Sequence, residues 1–138
     1  MSLFQKILCA VDFEPHSLSA MKIAREALPP DGKLHVLHIV TFPYALTPEE
    51  AVTPLADTRE RLEIIVREHL GEEPRCEVLV EAGDDTVKAI LEAAARLSAG
   101  CIVVANHSKT RVERLLAANV AHKIAQASTV PVITIRPH

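Results

Sequence analysis

The stretch VVANHSKTRVERLLAANVAHK, Val103–Lys123, decides how this chain is read. A continuously apolar run ends at Ala105, a polar and basic segment follows, and a helical pattern resumes near Asn119. Strand, loop and helix start in that order are the layout of a phosphate-binding loop, in which backbone N–H groups and a helix N-terminus face an anion. Such loops rely on glycine, which reaches positive φ freely and has no Cβ to hold a phosphate oxygen away from the main chain. Between Val103 and Lys123 there is no glycine. The segment has the layout of an anion site and lacks its usual residue.

Working outward, the chain alternates between two periodicities. Phe4–Val11 (FQKILCAV) and Leu34–Val40 (LHVLHIV) read as strands, and CIVVA (Cys101–Ala105) is apolar throughout, as a strand buried on both faces is. Between the first two, SLSAMKIAREAL places Leu18, Met21, Ile23, Ala24 and Leu28 at spacings near three and four. Ser17 is the expected N-cap, and Pro29-Pro30-Asp31-Gly32 is the stop. A second helix is expected from about Asp57 to Leu70, closed by Gly71, after an irregular stretch Thr41–Pro54 with three prolines. Arg75–Gly83 reads as a strand, the segment from Asp85 as a helix, Asn119–Ala127 as a helix and VPVITIRPH as the last strand. Such alternation predicts one α/β domain over residues 1–138, an open parallel sheet with helices on both faces. Ligands in such a sheet sit at the carboxyl ends of the strands where the winding reverses, so Asp12 and Ala105–Ser108 are expected to border one crevice.

Composition narrows the function. A net charge of −3 without a sustained basic run lacks the electrostatic footprint of a nucleic-acid binder. No apolar stretch is long enough to span a bilayer, and the first residues lack the pattern of a secretory signal. Cys9, Cys76 and Cys101 lie in or beside apolar runs, not in a CxxC pair, and read as reduced core thiols of a cytoplasmic protein. His35 and His38, three apart in a strand, face opposite sides and cannot share a metal. His107 and His122 flank the loop; exposed or capping histidines explain them more simply than a metal or acid–base pair. No G-x-S-x-G elbow is present around Ser108, and no metal ligand set or catalytic group emerges.

The segments ILCAVDFEPHSLSAMKIA, LHVLHIV, VEAGDDTVKAILEAA and CIVVANHSKTRVERLLAANVAHKIAQASTVPVITIRP together resemble the universal stress protein family across essentially the whole chain. The resemblance implies a five-stranded sheet of order 3-2-1-4-5, a dimer through the last strand, and membership of either an ATP-binding or a non-binding branch. The ATP-binding branch carries G-x2-G-x9-G-[ST] after the fourth strand. Here those glycines correspond to Ala105, Ser108 and Ala118, with Asn119 at the hydroxyl position. The resemblance also places adenine and ribose contacts at Asp12, Ile39, Val104 and Val120. The expectation is a non-enzymatic stress-response protein acting as a homodimer with an unspecified protein partner. It holds no cofactor or metal, does not bind nucleic acid or membrane, and binds ATP poorly. The alternative is a weak ATP-binding regulator in which Asn119 presents a helix N-terminus and Lys109, Arg111 and Arg114 supply positive charge. An acid after the first strand also suits a phosphorylation receiver domain, but the third strand ends without the required Asp and the fifth without a Lys.

Overall fold

The computed structural model describes residues 2–105 and 120–136. The elements run β1 (Lys6–Ala10), α1 (Pro15–Ala27), β2 (Lys33–Val40), α2 (Pro48–Leu70), β3 (Cys76–Ala82), α3 (Thr86–Arg96) and β4 (Cys101–Ala105). Helical residues 120–127, here α4, and β5 (Val132–Ile135) complete it. Every strand pair is parallel and the order is β3-β2-β1-β4-β5. The alternation of apolar runs with helical patterns therefore produced the sheet it predicts, with α3 and α4 packed on one face and α1 and α2 on the other.

Period-2 alternation along the strands divides the core in two. Ile7, Cys9, Val36 and Val103 face α1 and the C-terminal half of α2, where Met21, Leu62 and Val66 close over them. Leu8, Leu37, Ile39, Ile102 and Val104 face α3 and α4, meeting Ile90, Ala93 and Ile124. Central β1 and β4 are nearly sealed because both faces are covered, which is why their sequences are apolar without interruption. All three cysteines are free thiols in or at the first layer. Burial pushes the Cys9 thiol up to about 12, with Cys76 and Cys101 adding to the effect, and burial likewise lifts Cys76 to about 11. Thiols so disfavoured as thiolates are inert filling.

Two boundaries differ from the sequence reading. Ser17 is not the N-cap of α1: the helix starts at Pro15, whose fixed φ suits a first turn, and the N-cap is Glu14 without a side-chain cap bond. The Ser17 hydroxyl instead accepts the N–H of Asp12 at 2.8 Å. The stretch Thr41–Pro54 is not irregular throughout, because α2 begins at Pro48. Thr47 accepts the Glu50 N–H at 3.1 Å, and the Glu50 carboxylate accepts the Thr47 N–H at 3.0 Å. This capping box starts the helix, while Pro48 stands where no N–H is needed. Those bonds also hold the Glu50 carboxyl below its usual range. Pro54 remains inside the helix as a local defect. At the other end Gly71 takes φ 68° and ψ −154°, a conformation reserved for glycine, and Arg25 donates to the Leu70 carbonyl at 2.9 Å.

Candidate functional site

The chain winds from β1 outward to β3, then returns to β4 on the other side of β1, so the winding reverses between β1 and β4. Their last paired residues are Ala10 and Val104. Immediately beyond stand Val11 and Asp12 on one side and Ala105 on the other, which puts these sequence-predicted site residues at the switch point.

The end of β1 is held by side chains. The Val11 N–H continues the ladder to the Leu37 carbonyl at 2.8 Å. The Val11 carbonyl lies 2.8 Å from His38 Nδ1; a carbonyl only accepts, so that nitrogen carries the proton and donates. Asp12 donates its N–H to Ser17, and its carboxylate accepts the Glu14 N–H at 2.8 Å, closing an Asx turn into α1. Phe13 then folds back over β2. Its ring meets His38 edge-on with centroids 4.9 Å apart, and the Arg61 guanidinium of α2 sits 4.0 Å from the ring centre. Ser17, His38, Phe13 and Arg61 thus frame the end of β1 on its α2 side. Reading the sequence assigned none of them to the site. The signal for Ser17 was its distance of five residues from Asp12, whereas the meeting of Phe13, His38 and Arg61 is tertiary and left no local pattern.

The other site residues divide by face. Ile39 and Val104 belong to the core under α3 and α4, with 8% and 5% of their surface exposed. Behind Ile39 the packing is tight: a Cβ added to Gly83 would lie 3.4 Å from Ile39 Cγ2 and 3.0 Å from Ala89 Cβ. Ala105 packs against the opposite layer, pairs with Ile135 and does not have positive φ, so its Cβ causes no backbone strain there. Val120 is exposed at the start of described α4. Ser108, Ala118 and Asn119, with Lys109, Arg111, Arg114 and His107, lie outside the described residues.

Among the described residues no three His, Cys, Asp or Glu side chains are grouped as metal ligands. His35 lies in the amino-terminal half of β2, opposite Leu8 and Glu77, on the other face from His38 as the spacing predicts. Its Nε2 is 3.8 Å from the Glu77 carboxylate, which Lys33 also approaches at 3.5 Å. Burial holds the imidazole below its usual range, with Glu77 opposing and Lys33 and Lys6 reinforcing the shift. This histidine is a buried core group and takes no part in the crevice. Among the described residues, no helix is long and apolar enough to cross a membrane.

An open parallel sheet whose winding reverses between β1 and β4 defines a doubly wound α/β protein. The model of the universal stress protein family matches residues 3–136, and the chain belongs to that family. No curated protein matches the chain. Solved structures share the fold at low identity. A universal stress protein in complex with cAMP is 22% identical, with 98% of each chain covered and a TM-score of 0.71. Universal stress protein UspA from Lactobacillus plantarum is 17% identical, with 99% of this chain and 100% of that one covered and a TM-score of 0.69. A universal stress protein family protein from Arabidopsis thaliana with AMP bound is 20% identical, with 97% and 92% covered and a TM-score of 0.63.

Proposed function

We propose that this universal stress protein is a non-enzymatic stress-response regulator that works as a homodimer through a protein partner and holds ATP weakly or not at all. The observation that carries the reading is the replacement of all three loop glycines by Ala105, Ser108 and Ala118 at unchanged spacing. A loop that needs left-handed backbone at such positions is penalised by roughly 1–2 kcal/mol for each L-residue. At Ala105, where the backbone is that of a strand, the remaining obstacle is the Cβ itself. The crevice beside it supports the same reading. Ile39 and Val104 offer a base little open surface, and an Asp12 oxygen is engaged in its own turn.

Dimerisation is proposed through β5. It is an edge strand that, among the described residues, pairs only with β4, and a parallel-sheet edge offers a row of backbone donors and acceptors to a twin. Light scattering at high micromolar concentration should give the mass of two chains, and a monomer mass would remove this part of the proposal.

The nucleotide reading is tested by titration calorimetry with magnesium and ATP. No heat up to millimolar ligand is expected, and a micromolar dissociation constant would overturn it. A second reading is favoured by the cAMP and AMP named for two structural neighbours. A single phosphate asks fewer amides of the loop than three do, so a regulator of this kind would bind AMP or cAMP while rejecting ATP. Asn119 and the basic residues Lys109, Arg111 and Arg114 would supply its anion contacts. Parallel titrations with AMP separate the two.

A further inference from the structure

Helix α2 is longer than the sheet it covers. Leu62, Val66 and Leu70, all after Arg61, bury themselves in the layer under α1 and α2. Arg61 itself stands at the end of β1, over Phe13. From Pro48 to Arg61 about 20 Å of helix remain; Ala51 is buried there, but among the described residues none of this stretch enters either core cluster. A helix with so little of its surface in a core is ordinarily marginal. This one is nonetheless firmly started, by a reciprocal capping box and Pro48 in its first turn, and it continues past the defect at Pro54, whose carbonyl accepts the Thr58 hydroxyl at 2.8 Å.

The surface of this overhang is unusual in two independent ways. Tyr44, three residues before the N-cap Thr47, and Val52 in the second turn are 70% and 62% exposed, the highest values among the exposed large hydrophobics of the described residues. Around them residues 41–61 carry Glu49, Glu50, Asp57 and Glu60 against Arg59 and Arg61, a formal −2. Arg59 is itself paired with Glu63 at 2.9 Å. Arg61 is turned to Phe13, so the overhang carries two of the chain's three net negative charges with neither arginine unengaged.

We propose that the N-terminal half of α2 is a preformed docking surface for a basic, amphipathic segment of a partner protein. Tyr44 and Val52 take its apolar residues, and Glu49, Asp57 and Glu60 take its lysines or arginines. Charge complementarity selects a basic partner, and a surface already helical before association reduces the ordering cost. The surface gives a location and a chemistry to the protein partner invoked above, and it rests on that reading. It is separate from β5, so loss of the dimer leaves it standing.

The test uses the full chain and a short fluorescent amphipathic helix made only of leucine and lysine, with a leucine–glutamate helix as control. Anisotropy should rise with the lysine peptide, fall as salt is added, and stay flat with the glutamate peptide. Tyr44→Ala and Val52→Ser, which leave charge unchanged, should each weaken binding by about tenfold, as truncation of an interface anchor does. Glu68→Gln, at the far end of the same helix, should leave it unchanged. Thermal melts of the variants show that each is folded. No binding of the lysine peptide overturns the proposal. So does binding indifferent to Tyr44 and Val52, which would be general attraction to an acidic surface. A fall in the light-scattering mass on Val52→Ser would assign the face to a second copy of the chain and likewise overturn it.

Discussion

Leu62 and Val52 lie on one helix, and truncating each to alanine should have opposite consequences. Leu62 is fully buried between α2, α1 and the sheet. Its replacement removes apolar area and leaves a cavity that rigid neighbours fill incompletely, at a cost of about 2–5 kcal/mol. For a domain of this size each kcal/mol is worth roughly 3–6 °C, so the melting temperature should fall by about 10 °C or more. Val52 is 62% exposed, so most of its apolar surface is already in water and little is lost. Alanine is also the better helix former by about 0.5 kcal/mol, and the two small effects leave Val52→Ala within about 0.5 kcal/mol of the natural chain. Urea denaturation followed by far-UV circular dichroism measures both. A cost above about 1 kcal/mol for Val52→Ala would mean that the overhang belongs to the cooperative core, and the reasoning that leaves it available to a partner would fail.

Two further outcomes follow from particular residues. Gly71→Ala should destabilise by about 1–3 kcal/mol although a Cβ there meets nothing within 4 Å, because the cost is the backbone conformation alone; a neutral result in urea denaturation would show that α2 can end another way. Folding lowers the His35 pKa from 6.5, so below that value the unfolded chain binds the extra proton. Stability contributed by neutral His35 is present above pH 6.5 and lost as pH falls toward the folded value. Urea midpoints measured across that range should fall less steeply for His35→Gln, and an unchanged slope would contradict the assignment.

The architecture was legible because its signals are local. CIVVA is apolar at every position and so can only be a strand covered on both faces. Asp85 announced α3 and does cap it, accepting the Lys88 N–H at 3.1 Å. The failures were competitions between local signals. Three prolines suggest an irregular segment and hide the Thr47-x-x-Glu50 box, yet Pro48 falls in the first turn, where an N–H has no intrahelical partner. Ser17 looks like a cap, but Pro15 starts the helix first and frees the hydroxyl to serve Asp12. At the switch point, Asp12 and Ala105 could be placed from the order of elements, since strand ends there need no side-chain detail, whereas Ile39 and Val104 came only with the family resemblance. Val104 is buried because its strand is covered on both faces, and Ile39 because its side of β2 packs in the layer with Ile90 of α3. The stacking of Arg61 on Phe13, with His38 reaching back to Val11, joins three elements that only the packed helix brings together.

The central claim concerns side-chain carbon standing where bare main chain would receive phosphate, and calorimetry on two chains tests it most directly. The natural chain should release no heat with magnesium and ATP up to millimolar concentration, whereas the variant Ala105→Gly, Ser108→Gly, Ala118→Gly, Asn119→Ser should bind measurably more tightly. Micromolar binding by the natural chain, equal to that of the variant, would contradict the account.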